Sequence, residues 1–226
     1  MTQPVLRVHD VHKSYARDTA LRGASIAVAP GEVVALVGPS GSGKSSLLHC
    51  ATGLLRPESG SVSLEGRDLA GLSEKERSRL RRREIGLVLQ FGQLVPELSI
   101  VQNVALPLVL EGHDRGAAQT SARHWLERAG VLDLAEALPG EISGGQRQRV
   151  AVARALVTGP RLICADEPTG ALDTLAGEEV AELLMVTARE AGAGLLIATH
   201  DNRVAAGADR EVVLRDGRTQ GAVVGA

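Results

Sequence analysis

A chain of 226 residues can bury one substantial core, and its 44% hydrophobic and 23% charged residues are ordinary for a globular protein. The formal net charge of -2 gives no long-range attraction to nucleic acid phosphates, so we expect no nucleic acid partner. Two cysteines, Cys50 and Cys164, are too few for a disulfide framework or a zinc knuckle.

The first predicted element is a strand over residues 5–11, where polar and apolar residues alternate. Residues 1–10 contain no hydrophobic signal segment, and no run of about 18 apolar residues occurs in the chain. We therefore expect a protein that does not span a bilayer by itself. Alternation also predicts strands over residues 61–65 and 211–215, and we expect these alternating strands to form an antiparallel layer.

A second type of strand is continuously apolar, which indicates burial on both faces. Such runs cover residues 33–37, 162–165 and 195–198. Strands buried on both faces are typical of a parallel sheet covered by helices, so the sequence predicts an α/β core. Helices are predicted over residues 43–51, 117–129 and 143–157, the last capped by Ser143 and stopped by Gly159-Pro160.

The sequence between the apolar strands at residues 33–37 and 162–165 includes a segment that predicts an inserted helical subdomain. Helical periods dominate residues 91–140, and no buried strand is evident there. We expect a single domain over residues 1–226, whose core is formed by 1–90 and 158–226 and whose helical subdomain covers about 91–157. The arginine-rich residues 77–83 are interleaved with glutamates and favour a solvated helix face.

A glycine-rich segment joins the first continuous apolar strand to the next helix. It satisfies the phosphate-loop pattern, in which glycines let backbone N–H groups converge on an anion at a helix start. Lys44 can then reach the terminal phosphates, and Ser45 supplies a hydroxyl ligand for Mg²⁺. Kinases, GTPases and motor ATPases share such a loop, so its presence leaves the function open. The predicted nucleotide contacts here are Gly38, Pro39, Ser40, Gly41, Ser42, Gly43, Lys44, Ser45 and Ser46.

Two adjacent carboxylates, Asp166 and Glu167, follow the apolar strand over residues 162–165. The carboxyl end of a parallel sheet is where ligands bind. We interpret Asp166 as a holder of the Mg²⁺ shell and Glu167 as the group that polarises an attacking water.

The segment Ile142-Ser143-Gly144-Gly145-Gln146 carries a family resemblance. With it, the chain resembles the ATP-binding subunits of ABC transporters over nearly its whole length, with the motifs in the family's order. The family signature normally opens with leucine, and the isoleucine here has a similar volume. The serine and the bare glycine backbone at a helix start form a second anion site. The resemblance implies that each ATP lies between the phosphate loop of one subunit and the signature of another.

The same resemblance implies further site residues. Gln90 would sense Mg²⁺ and water, residues 170–173 would contact the dimer partner, and Tyr15 would stack on adenine. His200 would act as a γ-phosphate switch, so that Glu167, His200 and Lys44 are the predicted catalytic residues. Taken alone, a strand-end histidine is more often structural and a loop glutamine is more often solvated, and a half-buried tyrosine at a strand end is the alternative interpretation of Tyr15.

The implied cofactors are ATP and Mg²⁺, and the implied partners are a second copy and integral membrane, permease-like subunits. This places the chain at the cytoplasmic face of the cell membrane, held there by its partner. The motion driven by ATP binding and hydrolysis would pass to the membrane partner through the insertion near residues 91–103. Residues 89–104 look most like the macrolide-exporter and lipoprotein-releasing branch, although Leu89 replaces that branch's usual phenylalanine.

Two alternatives stay open at this point. A regulatory ABC ATPase of the cell-division type would control a cell-wall hydrolase through its membrane partner and transport nothing. A soluble ABC ATPase of DNA repair is disfavoured, because the segment between Gln90 and Ser143 is too short for a long coiled coil and lacks a cysteine cluster.

Overall fold

The chain folds into two β-sheets and a set of helices. The computed structural model describes residues 3–16, 18–90 and 92–220. Phe91, one of three aromatic residues and the predicted start of the helical insertion, lies outside the described residues. In the described ranges, every helix is too short or too polar to cross a lipid bilayer.

The strands, in chain order, are β1 (Leu6–Tyr15), β2 (Asp18–Val28), β3 (Val33–Val37), β4 (Ser59–Leu64), β5 (Arg67–Asp68), β6 (Ile85–Val88), β7 (Leu162–Asp166), β8 (Gly194–Thr199), β9 (Arg210–Arg215) and β10 (Arg218–Gln220). The α-helices are α1 (Lys44–Ala51), α2 (Glu74–Glu84), α3 (Ile100–Leu110), α4 (Arg115–Arg128), α5 (Gly144–Leu156), α6 (Thr174–Glu190) and α7 (Asn202–Ala206). Two single 3₁₀ turns, Leu132–Leu134 and Pro139–Glu141, precede α5.

The larger sheet has the strand order β10-β9-β3-β8-β7-β6. Its neighbouring strands are parallel except for the β9–β10 hairpin. The three strands predicted from continuous apolar runs, β3, β7 and β8, lie at its centre and are almost wholly buried. The predicted α/β fold is therefore confirmed, because helices cover both faces of this sheet.

The smaller sheet is antiparallel, with the order β2-β1-β4-β5. It contains two of the three alternating strands, as predicted. The prediction for residues 211–215 was wrong, because β9 pairs in parallel with β3 in the larger sheet. Val212 and Leu214 face the core while their neighbours are exposed or half-buried. The alternation of β9 thus reports burial on one face only and carries no information on strand direction.

Helix α5 is shared between two hydrophobic clusters. One of its faces, including Ala151, Val152 and Ala155, packs against the larger sheet and α6. The other, with Val150 and Ala153, joins a separate cluster built from α3 and α4. The predicted insertion therefore has a core of its own, and α5 connects it to the sheet.

The arginine-rich stretch forms α2, where Glu74 pairs with Arg77 and Arg81, and Glu111 pairs with Arg82 and Arg83. The prediction of a solvated helix face was wrong for one of its arginines, Arg77, which is buried. Its charge is compensated by Glu74 one helical turn earlier.

Candidate active site

The phosphate loop follows β3, at the carboxyl edge of the larger sheet. Two of its glycines are required by close backbone approaches. A Cβ atom at Gly38 would lie 2.2 Å from the carbonyl oxygen of Leu214, and one at Gly43 would lie 2.4 Å from that of Ala20. Gly43 also has a φ of 105°, in the left-handed region that favours glycine. The loop is therefore held between β2 and β9, and substitution at either position would push it out of place.

Helix α1 begins directly after this loop, with Gly43 as its N-cap. The first N–H groups of a helix have no intrahelical acceptor, so those of Lys44, Ser45 and Ser46 are free to bind an anion. The Lys44 side chain is buried, and its ammonium donates to the carbonyl oxygens of Gly38 at 2.8 Å and Pro39 at 3.2 Å. These bonds curl the side chain back over the loop, where it faces the same space as the free amides.

A carboxylate and an imidazole meet where β7 and β8 end. Glu167 Oε2 lies 2.8 Å from His200 Nδ1, and Glu167 Oε1 lies 3.7 Å from Lys44 Nζ. The Glu167 amide donates to the Ala198 carbonyl at 2.8 Å, which extends the pairing of the two strands by one residue. Glu167 has a φ of 45°, uncommon for a residue with a side chain. This backbone strain turns its carboxylate toward the phosphate loop.

These groups line one cleft of about 690 Å³. Its lining includes ten residues predicted from the sequence and one, Ala20, that was not. The sequence gives only a weak signal for Ala20, because a small residue on β2 can be recognised as part of the cleft only when that strand is known to lie beside the loop. The lining residues are Tyr15, Ala20, Ser40, Gly41, Gly43, Lys44, Ser45, Ser46, Gln90, Glu167 and His200.

The remaining loop residues support the cleft without lining it. Gly38 and Pro39 supply the carbonyl oxygens that hold Lys44. The Ser42 side chain is buried below the loop, and its amide donates to the Pro39 carbonyl at 3.2 Å. These three predicted residues thus set the shape of the loop.

Asp166 is suited to a cation. It precedes Glu167 at the end of β7, and its Oδ1 atom is buried without a hydrogen-bond partner among the described residues. A buried carboxylate oxygen without a partner is costly unless a ligand compensates its charge. With the Ser45 hydroxyl and the Gln90 amide in the adjoining cleft, the oxygen donor set fits Mg²⁺.

Tyr15 stands at the mouth of the cleft, with 43% of its surface exposed. Its hydroxyl lies 3.4 Å from Ser46 Oγ, and Lys13 Nζ lies 5.7 Å from the ring centre. An exposed aromatic face beside a phosphate loop can accept a flat aromatic ring.

The signature segment, residues 142–146, leads into helix α5 and contributes no residue to the lining of this cleft. Ser143 caps α5, since its hydroxyl accepts from the Gln146 amide at 3.2 Å while the Gln146 side chain accepts from the Ser143 amide at 2.8 Å. Ser143 and Gly144 are exposed, and Gly145 and Gln146 are half-buried. Residues 170–173 lie beside it, with Leu172 in reach of Gly144 and Asp173 capping α6.

Comparison with known proteins assigns this arrangement to a family. Residues 21–170 match the family described as ABC transporter. The chain belongs to the ABC transporter family. The family assignment made from the sequence motifs is thereby confirmed.

Two relatives of this ABC protein are lipoprotein-releasing system ATP-binding proteins. LolD of Bordetella pertussis (strain Tohama I) is 48% identical over 223 residues, which are 97% of this chain and 96% of that protein. LolD 2 of Caulobacter vibrioides is 46% identical over 224 residues, 97% of this chain and 98% of that protein.

A solved structure extends the similarity to three dimensions. It is the ATP-binding cassette MJ0796, described as a dimer in a post-hydrolysis state bound to ADP and Pi. It has a TM-score of 0.89, is 34% identical, and the match covers 98% of this chain and 100% of that chain. The chain is thus a P-loop ATPase subunit of the ABC transporter family, similar to ATP-binding subunits of the lipoprotein-releasing branch. These relatives support neither the cell-division nor the DNA-repair alternative.

Proposed function

We propose that this ABC ATPase binds ATP and Mg²⁺ in its phosphate-loop cleft, closes face to face with a second copy, and drives a membrane partner that releases lipoproteins. The observation that carries the proposal is that two helix N-termini suited to binding an anion lie at different places on the chain. Helix α1 opens into the cleft, whereas α5 opens on exposed surface outside it. A second copy is needed to bring both helix starts onto one triphosphate.

In the cleft, Lys44 and the free amides at the start of α1 stabilise the negative charge of the terminal phosphates. Ser45, Asp166 and Gln90 would hold Mg²⁺, which would neutralise charge on the phosphate oxygens when bound. Tyr15 stacks on the adenine ring.

Glu167 acts as the base that accepts a proton from the attacking water. His200 holds one oxygen of its carboxylate, and the other oxygen faces Lys44 of the phosphate loop. The water oxygen bonds to the γ-phosphorus as the bridging oxygen leaves, giving ADP and phosphate.

Mixing two inactive variants tests whether the nucleotide site is a composite site, formed by the phosphate loop of one copy and the signature of the other. Lys44→Ala damages a phosphate loop, and Gly144→Asp places a negative charge where the signature would meet phosphate. If sites form across a dimer, a mixed pair carries both defects in one site and none in the other, so ATP hydrolysis returns. Each variant alone, and a variant that carries both substitutions in one chain, should stay inactive. If each site lay within one chain, mixing would restore nothing.

The membrane partner is proposed to dock at a groove of about 420 Å³ between α2, β6, α3 and α5. Its apolar lining includes Leu87, Leu106 and Leu110, and Leu110 is 60% exposed. Arg82 lines the groove, and together with Arg83 it pairs with Glu111, whose pKa the two arginines hold below its ordinary value. An apolar floor with a charged rim suits a short amphipathic cytoplasmic segment of a membrane protein.

This docking proposal gives the helical subdomain, residues 91–157, a role in force transfer next to the core formed by 1–90 and 158–226. It also puts the chain at the cytoplasmic face of the membrane. Leu110→Glu should abolish co-purification with an integral membrane subunit from detergent-solubilised membranes. Leu132→Glu, at an exposed leucine outside the groove, is the matched control and should leave it intact. Equal recovery of the subunit with both variants would refute the groove.

A further inference from the structure

Helix α5 grips the loop that carries Gln90. The buried Gln148 side chain donates to the Leu89 carbonyl at 3.3 Å. Arg154 donates from one guanidinium nitrogen to the Gly92 carbonyl at 2.7 Å and from the other to the Gln93 carbonyl at 3.0 Å. The backbone is therefore held by α5 on both sides of Gln90.

The held backbone is strained at Gln93, which has a side chain and a φ of 42°, whereas the neighbouring Gly92 has a φ of 72°, which glycine adopts readily. Two consecutive residues in the left-handed region turn both carbonyl oxygens toward one guanidinium group. A Cβ atom at Gly92 would lie 3.0 Å from the Arg147 carbonyl oxygen, so the loop also packs closely on the helix. Such strain persists only where surrounding contacts enforce it, and here the contacts come from α5.

The Arg154 charge is withdrawn from water to make these bonds. Burial lowers the pKa of Arg154, yet a guanidinium group remains protonated at neutral pH. A planar fork reaches two carbonyl oxygens at once, whereas a lysine ammonium on a flexible stem acts as a point charge. The two residues are therefore not equivalent at this position.

The same helix begins at the second anion site. Gly144 and Arg154 lie ten positions apart on α5, which corresponds to about 15 Å along its axis. One rigid element thus connects the signature, which is proposed above to face a second copy, to the loop that presents Gln90 to its own cleft.

We infer that Arg154 is a positioning residue, which makes the placement of Gln90 depend on the position of the signature helix. Docking of the signature on the partner's nucleotide shifts α5. The Arg154 guanidinium, which is hydrogen-bonded to the loop after Gln90, transmits that shift to Gln90. This inference rests on the roles proposed above for Gln90 and Ser143.

A double-mutant cycle in the full-length protein tests it. Arg154→Lys should lower kcat for ATP hydrolysis roughly tenfold, as expected for a weakened charged hydrogen bond, while the Kd for ATP stays within about twofold. It should also raise the Mg²⁺ concentration needed for half-maximal activity. In a Gln90→Ala background the same substitution should lower kcat no further, because its effect passes through Gln90.

Three further measurements separate positioning from a loss of folding. Arg149→Lys changes the same residue type on the same helix, where the side chain contacts Ala129 and Glu179, and should leave kcat unchanged. Amide hydrogen exchange over residues 89–95 should speed up in Arg154→Lys and not in Arg149→Lys. Gln148→Leu removes the other hydrogen bond from α5 to the loop and should likewise lower kcat and speed up exchange over residues 89–95. It therefore tests the inference if Arg154→Lys fails to fold.

Equal losses of kcat in the wild-type and Gln90→Ala backgrounds would overturn the inference, as would unchanged exchange over residues 89–95. A Gln90→Ala variant with wild-type kcat would overturn it too. None of these results would contradict the composite site, which fails only if the mixed variants show no recovery.

Discussion

Replacing Glu167 with glutamine isolates the chemistry of the cleft from its shape. The amide keeps the size of the side chain and can still hydrogen-bond to His200, which lies 2.8 Å from the carboxylate. It cannot accept a proton from water at neutral pH. General bases contribute about 10²–10⁴-fold to rates, so kcat should fall by roughly 10³-fold.

The structure also predicts what the substitution does to binding and stability. At 3.7 Å, the Glu167–Lys44 pair is worth about 4 kcal/mol of attraction with an effective dielectric constant of about 20. Desolvation offsets most of this, and Lys44 keeps its two carbonyl acceptors, so unfolding should become easier by only about 1 kcal/mol. Because the removed charge also repels phosphate, ATP affinity should hold or rise.

Bound but unhydrolysed ATP should then trap the closed dimer. Size-exclusion chromatography with ATP should show Glu167→Gln as a dimer, with single-turnover measurements reporting the lost rate. Glu178→Gln makes the same change on α6, where the carboxylate pairs with Arg203, and should hydrolyse ATP normally. A Glu167→Gln protein that stayed monomeric with ATP and turned over at the wild-type rate would remove Glu167 from its proposed role.

Substitutions at three other residues test separate parts of the structure. Lys44→Ala should weaken ATP binding by about 30–100-fold in a calorimetric titration, since it loses a charged hydrogen bond to phosphate, while Lys75→Ala on exposed α2 should not. Tyr15→Phe should keep ATP affinity and Tyr15→Ala should lose about 3–10-fold, whereas equal losses would argue against stacking. Asp209 accepts from the Val33 amide at 2.8 Å and from Arg189 at 2.9 Å, and these bonds, the first above all, lower its pKa. Its contribution to stability is therefore present above its ordinary value of 3.8 and lost as pH falls through the lower folded value. Asp209→Asn should lower the free energy of unfolding, measured in urea at pH 7, by about 1 kcal/mol, a figure reduced for solvent exposure. The difference in this free energy between the variant and the wild type should disappear below about pH 4.

Local patterns predicted those parts of the site that are built from neighbouring residues. The phosphate loop and the capped start of α5 each depend on contacts within a few positions, such as the reciprocal bonds between Ser143 and Gln146. Helix α6 was not predicted, although its cap Asp173 and its buried Val180, Leu184 and Ala188 have helical spacing. Strand β2 was also missed, because irregular register with β1 interrupts its alternation.

The sequence by itself determined the buried strands, the phosphate loop and the family, since each follows from hydrophobic runs or short motifs. Only the tertiary structure decided that β9 runs parallel to β3, that Glu167 contacts both His200 and Lys44, and that Arg154 holds the loop after Gln90. These contacts join residues between 33 and 176 positions apart, on strands and loops whose order in space is set by packing. One-dimensional patterns record which face of an element is buried, but the partner that buries it is chosen by the folded chain as a whole.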